Sequence, residues 1–99
     1  METGLSPKTI QALAGVFRQF KQIDKVMLYG SRAIGTHKPG SDIDLALVGK
    51  DLSTDLLATI AVMLDDLLLP YTLDLTIYAF IDNSDLRAQI DRVGVELFS

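Results

Sequence analysis

The sequence has no cysteine and a single histidine, His37, which excludes several kinds of site. Without thiols the chain can form neither disulfides nor thiolate zinc sites, and it has no cysteine nucleophile. One imidazole argues against a histidine-rich metal centre. The longest apolar run, over residues 56–69, contains two aspartates and is too short to span a bilayer, so we expect no membrane segment.

Basic residues are scarce in the second half of the chain. Between Asp42 and Asp85 there are nine acids and one lysine, Lys50, and the net charge of the chain is −4. A surface of this sign repels phosphates, so we expect no direct nucleic-acid partner. It suits cations and basic proteins instead. The polar residues 1–10 lack the apolar segment of a secretion signal, so we expect a cytoplasmic protein.

The remaining composition is typical of one globular domain. The chain has 99 residues, and 48% of them are hydrophobic. That is enough for one core and too little for two, so we expect a single domain over residues 1–99.

The spacing of apolar residues predicts the order helix, strand, short turn, strand, helix, strand, helix. Ser6 and Pro7 mark the start of a first helix that should end near residues 21–24. Strands are predicted over residues 26–29, 42–48 and 73–80, and a helical turn begins at Ser31. A further helix over residues 54–69 can be capped by Ser53 or Thr54. The last helix is capped by Asn83 or Ser84 and carries Leu86, Ile90, Val93 and Leu97. This order indicates an α/β fold of the α+β kind, a small mixed sheet with helices packed on one face.

The predicted helix over residues 54–69 is apolar around most of its circumference. One interpretation is that the helix is pressed into the core of this domain. The other is that part of it contacts another chain, either a partner protein or a second copy.

Three aspartates alternate with leucines or isoleucine in predicted strands. Asp42 and Asp44 project from one face of their strand, and Asp74 occupies the non-leucine face of the next strand. Three carboxylates on one face repel each other, and a divalent cation relieves that repulsion. Carboxylate oxygens favour Mg²⁺ or Mn²⁺, so we expect these aspartates to form a metal site.

A glycine-containing loop begins where the first strand ends. Gly30 lets the backbone approach a ligand closely, and a helical turn starting at Ser31 would direct N–H groups and a hydroxyl at an anion. Arg32 adds positive charge nearby. A metal-binding face beside a phosphate-binding loop is the arrangement that nucleoside triphosphate chemistry needs.

Two segments carry a resemblance to a known family. Residues 28–35 read LYGSRAIG, and residues 41–45 read SDIDL. Together they resemble the signature of the DNA polymerase β-like nucleotidyltransferase superfamily. The short chain is similar to its minimal branch, the MNT-type proteins encoded beside HEPN-domain partners. The chain departs from that branch at Ile34, where a second arginine is common.

The resemblance implies a role for each of these residues. Asp42 and Asp44 would bind two Mg²⁺ ions, and Asp74 would ligate one metal and activate the attacking hydroxyl. In MNT–HEPN pairs the nucleotidyltransferase is an antitoxin that moves AMP from ATP to a tyrosine of the all-α HEPN ribonuclease. The implied nucleotide-binding residues are Gly30, Ser31, Arg32 and Ser41.

Two other functions remain open at this point. One is a catalytically weak module of the same fold that binds nucleotide or partner, and the three intact aspartates argue against it. The other is a nucleotidyltransferase for small molecules of the aminoglycoside type. The short chain argues against this second alternative, because we expect no second domain to form an acceptor pocket.

Overall fold

The computed structural model describes residues 4–38 and 40–99, so the first three residues and the proline of the predicted loop lie outside the description. The described residues form one four-stranded sheet and its covering helices. In chain order the elements are α1 (Pro7–Phe17), β1 (Ile23–Tyr29), α2 (Ser31–Ile34), β2 (Ile43–Gly49), α3 (Thr54–Asp65), β3 (Leu73–Ile77), a 3₁₀ turn (Tyr78–Phe80), α4 (Ser84–Val93) and β4 (Val95–Phe98).

The sheet is mixed, as the sequence predicts. Its strand order is β3-β2-β1-β4. The central pair β1 and β2 is antiparallel, β2 and β3 are parallel, and β4 joins the other side of β1 antiparallel. The parallel pair needs a crossover connection, and α3 provides it. No helix among the described residues is long and apolar enough to cross a membrane.

The predicted helix starts are confirmed by their caps. Ser6, Ser53 and Asn83 precede α1, α3 and α4, and the side-chain oxygen of each accepts a hydrogen bond from a backbone N–H two or three residues ahead. These bonds satisfy donors that the first turn of a helix leaves unpaired.

Alternation along β2 separates two sides of the sheet. Ile43, Leu45 and Leu47 are fully buried in the main core under α1 and α3. Ala46 points the other way and packs with Ile90 of α4 in a smaller cluster. The expectation of helices on one face therefore holds for α1 and α3 but not for α4, which covers part of the opposite face.

The end of the chain is a strand where the sequence predicts a helix. The last helix ends at Val93, and the backbone is extended at its C-cap, Gly94. β4 then pairs with β1, and the ring of Phe98 lies 6.0 Å from that of Phe17 between centroids. Three other elements are shorter than predicted, since α1 ends at Phe17, α3 ends at Asp65 and β3 ends at Ile77, whereas β1 is longer and begins at Ile23 instead of Val26.

Candidate functional site

Strand register brings two of the predicted carboxylates together. Asp44 on β2 is the direct partner of Asp74 on the parallel strand β3, and on its other side it is the partner of Tyr29 on β1. Paired residues on neighbouring strands project from the same face, with the strands about 4.8 Å apart. Asp42 comes two residues before Asp44, just outside β2, and is exposed. The arrangement concentrates negative charge at one end of the sheet.

The electrostatics of this cluster raise two pKa values. Partial burial raises the pKa of the Asp44 carboxyl above its ordinary value, and the charges of Asp74 and Asp42 raise it further. Burial likewise raises the pKa of the Tyr29 hydroxyl, with smaller contributions from Asp44 and Asp74. Burial disfavours a charge of either sign, but the contributions from the neighbouring carboxylates show that further negative charge is disfavoured here and that a cation would relieve the repulsion.

The carboxylates of this cluster suit a hard cation that is also coordinated by oxygens of a substrate. Within residues 4–38 and 40–99, no three His, Asp or Glu side chains are gathered so that they could hold a metal ion by themselves. Asp44 and Asp74 form a register pair, with Asp42 beside them. Mg²⁺ is usually held by one or two carboxylates together with substrate phosphates. The residues present fit that mode of binding.

The loop after β1 is pressed against these carboxylates at Gly30. Its backbone has φ 76° and ψ −154°, a conformation that is essentially restricted to glycine. A Cβ placed on Gly30 would collide with Oδ2 of Asp44. The Gly30 carbonyl accepts a hydrogen bond of 3.1 Å from the Ala33 N–H, which starts the short helix α2 at Ser31. The predicted helical turn is confirmed, and it begins directly beside the acidic pair.

Arg32 and Ser41 connect the two ends of the loop to each other. The Arg32 side chain is 2% exposed, and its Nε and Nη2 donate to the Ser41 carbonyl at 3.2 and 2.9 Å. Its guanidinium lies 4.9 Å from the centre of the Tyr71 ring. The Ser41 hydroxyl accepts a 2.8 Å bond from the Lys38 N–H. Both residues are therefore engaged in holding the loop, and Arg32 lies buried inside it.

Two tyrosines near the site were not found from the sequence. Tyr29 ends β1 beside Asp44, and Tyr71 stacks on Arg32 two residues before β3. The position of Tyr29 could have been predicted, because it follows the buried Leu28 in a strand and therefore lies on the face away from the core. The contact between Tyr71 and Arg32 joins distant segments, and no local pattern indicates it.

Comparison with known proteins finds one matching family. A family model described as "Polymerase beta, Nucleotidyltransferase" matches residues 11–99. No curated protein sequence matches the chain.

Three solved toxin–antitoxin complexes share the fold. One contains AMP-PNP and is 24% identical, with a TM-score of 0.73 over 89% of this chain and 71% of that chain. A mutant of the MntA-HpeT toxin–antitoxin complex is 21% identical, with a TM-score of 0.71 over 89% and 70%. The third is a tri-AMPylated Shewanella oneidensis HEPN toxin in complex with MNT antitoxin, at 21% identity and a TM-score of 0.66 over 89% and 67%.

Proposed function

The chain belongs to the polymerase beta nucleotidyltransferase family, and from this premise we propose that it is a Mg²⁺-dependent adenylyltransferase. In this proposal it transfers AMP from ATP to a tyrosine hydroxyl of a HEPN ribonuclease toxin and thereby acts as the antitoxin. The observation that carries the proposal is the register pair of Asp44 and Asp74 beside Gly30.

The similar structures support the substrates named here. One of those complexes contains AMP-PNP, an ATP analogue, and another contains a HEPN toxin that carries AMP groups. Because the reaction consumes ATP, we propose that the protein acts in the cytoplasm.

Binding of the nucleotide follows from the placement of the loop. Gly30 brings the backbone against the acidic pair, and Ser31 begins a turn whose first N–H groups suit a phosphate. Asp44 and Asp74, with Asp42 beside them, would hold the metal together with oxygens of the triphosphate. Bound Mg²⁺ would offset the charge of the triphosphate and lower the pKa of the acceptor hydroxyl.

The transfer itself is an in-line displacement at the α-phosphate. The acceptor oxygen forms a bond to the α-phosphorus while the bond from that phosphorus to the α–β bridging oxygen breaks, and pyrophosphate leaves. The proton of the hydroxyl passes to the Asp74 carboxylate. Asp74 suits this role because it is exposed on the edge strand β3, where a protein hydroxyl can reach it, whereas Asp44 lies between Asp74 and Tyr29.

Intact-mass spectrometry of the partner tests the proposal. The product of the adjacent gene, which in this proposal is the HEPN protein, is incubated with the chain, ATP and Mg²⁺, and we expect its mass to rise by one or more adenylyl groups. The double variant Asp42→Asn and Asp44→Asn should form the same complex and leave the partner's mass unchanged. A complex of the wild-type chain in which the partner's mass never increases would favour a binding module over an enzyme.

A further inference from the structure

We propose that the groove between α3 and β3 is the docking site for an amphipathic helix of the partner protein, with basic side chains at one end of that helix. The identity of this partner as the HEPN protein rests on the proposed function. The groove itself is a feature of the fold, about 320 Å³ in volume. Its lining residues are Thr54, Leu57, Ala58, Ala61, Leu64, Asp65, Leu73 and Leu75.

The groove exists because the core-side leucines of β3 are less covered than those of β2. Leu45 and Leu47 of β2 are fully buried, whereas Leu73 and Leu75 of β3 stay half-buried. β3 is an edge strand of the sheet, so its core-side leucines are open on the outer side. The α3 residues that line the groove are three or four positions apart along the helix, and two of them, Ala58 and Ala61, have small side chains. Small residues at this spacing let a second helix approach closely.

Two exposed apolar side chains are close to the lining residues in sequence, although neither lines the groove. Val62 follows the lining residue Ala61 and is 61% exposed, and Leu68 is 88% exposed three residues after the lining residue Asp65. Leu68 also has a positive φ of 55°, a backbone conformation that disfavours residues with a side chain. An exposed and strained leucine stabilises the isolated chain little, and a partner that buries it would gain its apolar surface.

The charge of the groove's helical wall favours a basic partner. α3 and its C-cap carry Asp55, Asp65 and Asp66 and no lysine or arginine. α3 ends at Asp65 and its C-cap is Asp66, and its last turn has no basic residue. The C-terminus of a helix carries partial negative charge and favours cations, so two carboxylates there are unfavourable in the isolated chain. A lysine or arginine of the partner, placed at the end of α3, would remove that repulsion.

The same charges argue against a second copy of this chain as the occupant. A two-fold symmetric contact through the groove would place this acidic, base-free surface against itself. Like charges across an interface weaken association, whereas opposite charges strengthen it and select the partner. The groove therefore favours a partner of opposite charge over self-association through helix 54–69.

A pair of neighbouring glutamine substitutions tests the groove. Ala58 is exposed and lines the groove, while Thr59 is exposed on the same helix and does not line it. Glutamine is a good helix former, so both variants should fold. In titrations with the HEPN protein and no ATP, we expect Ala58→Gln to weaken the complex at least about tenfold, because the amide would be desolvated in an apolar contact. Thr59→Gln should change it less than about twofold. Equal affinities for the two variants would overturn the proposal.

Removing the charge at the end of α3 should have opposite effects on the chain and on its complex. The double variant Asp65→Asn and Asp66→Asn should melt at a higher temperature when isolated, because the repulsion with the helix terminus is gone. It should bind the HEPN protein several-fold more weakly and with less dependence on salt. Unchanged binding would contradict a basic partner. A concentration-dependent dimer of the chain alone, lost in Ala58→Gln, would show that a second copy occupies the groove.

The groove and the proposed activity can fail separately. If Ala58→Gln binds the HEPN protein normally while the wild type transfers AMP to it, the activity stands and the groove is wrong. If Ala58→Gln abolishes the complex but the wild type transfers no AMP, the groove stands and the activity is wrong. The affinity of the isolated Ala58→Gln chain for ATP and Mg²⁺ should equal that of the wild type in either case.

Discussion

Asp44 is the residue at which the charge of the site affects the stability of the fold. Its pKa is raised in the folded chain by burial and by Asp74 and Asp42, so folding is disfavoured once Asp44 is ionised. Below the ordinary pKa of an aspartate, about 3.9, this destabilisation is absent. It is fully present above the raised pKa of the folded state. At pH 7 without metal, Asp44→Asn should therefore raise the free energy of unfolding by about 0.5–1 kcal/mol, a range that allows for solvent screening. Denaturant melts in EDTA measure it.

The control for this prediction is a carboxylate at the far end of the central strand pair. Asp24 is exposed on β1, away from Asp44 and Asp74, and Asp24→Asn should leave stability at pH 7 nearly unchanged. The gain from Asp44→Asn should shrink as the pH falls through the raised pKa. Millimolar Mg²⁺ should stabilise the wild type and have little effect on Asp44→Asn. An Asp44→Asn variant that melts earlier in EDTA and responds equally to Mg²⁺ would contradict the shared site.

We expect the main role of Arg32 to be stabilising the fold and not binding the nucleotide directly. It is buried, it donates two hydrogen bonds to the Ser41 carbonyl and it stacks on Tyr71. Lysine keeps the charge but loses the planar fork, so Arg32→Lys should lower the free energy of unfolding by about 1–3 kcal/mol. Thermal and denaturant melts of the chain without nucleotide check this. A variant that melts normally and only binds ATP more weakly would show that Arg32 contacts phosphate directly.

At the scale of elements, the turn from β1 into α2 depends on glycine for two separable reasons. Gly30 and Gly35 flank α2, and both have positive φ, 76° and 81°. A Cβ on Gly30 would collide with Asp44, whereas one on Gly35 would meet nothing within 4 Å. Alanine at Gly35 should cost about 1 kcal/mol from backbone strain alone and leave ATP affinity unchanged. Alanine at Gly30 should cost more and abolish ATP binding.

Isothermal calorimetry with ATP and Mg²⁺ on the two variants separates these effects. The Gly35→Ala chain serves as the control for a side chain at positive φ beside α2 without the collision, although its left-handed backbone, with ψ 12°, is less strained than that of Gly30. If Gly30→Ala bound ATP as tightly as Gly35→Ala, the nucleotide would have to lie away from this turn.

The sequence predicts elements best where local signals mark their ends. Ser6, Ser53 and Asn83 cap helices in the structure because each is followed by an apolar stripe with helical spacing. The final strand was missed because Leu86, Ile90, Val93 and Leu97 also fit a helix. Residues 95–98 are extended because they pair with the free edge of β1. That edge exists only in the folded sheet, so no local pattern indicates it.

The site was predictable in its composition and less so in its geometry. Strand alternation was enough to place Asp44 and Asp74 on corresponding faces, and parallel register then pairs them. The burial of Arg32 depends on Tyr71, which lies far away in the chain. In the sequence, Arg32 follows Gly30 and Ser31, and a positive charge there suggests a phosphate ligand. The sequence does not show that Arg32 is buried against Tyr71, because the two residues are distant in the chain.

At the scale of the whole molecule, the two faces of the sheet carry different features. The face with Leu45 holds the main core and, beside β3, the proposed docking groove. The opposite face holds Asp44 and Asp74 at one end and the small cluster around Ala46 under α4 further along. β3 contributes Asp74 to one face and Leu73 and Leu75 to the other. A partner helix docked in the groove would therefore lie on the other side of β3 from Asp74, the carboxylate proposed to accept the proton.

Transfer of label from ATP tests the central claim, nucleotidyl transfer at the Asp44–Asp74 pair, most directly. The chain and the HEPN protein are incubated with Mg²⁺ and ATP labelled at either the α- or the γ-phosphate, and the label on the HEPN protein is counted. We predict that the α-label becomes covalently attached, that the γ-label does not, and that Asp44→Asn and EDTA each abolish the attachment. Attachment of the γ-label, or of α-label that persists undiminished in Asp44→Asn, would contradict the account.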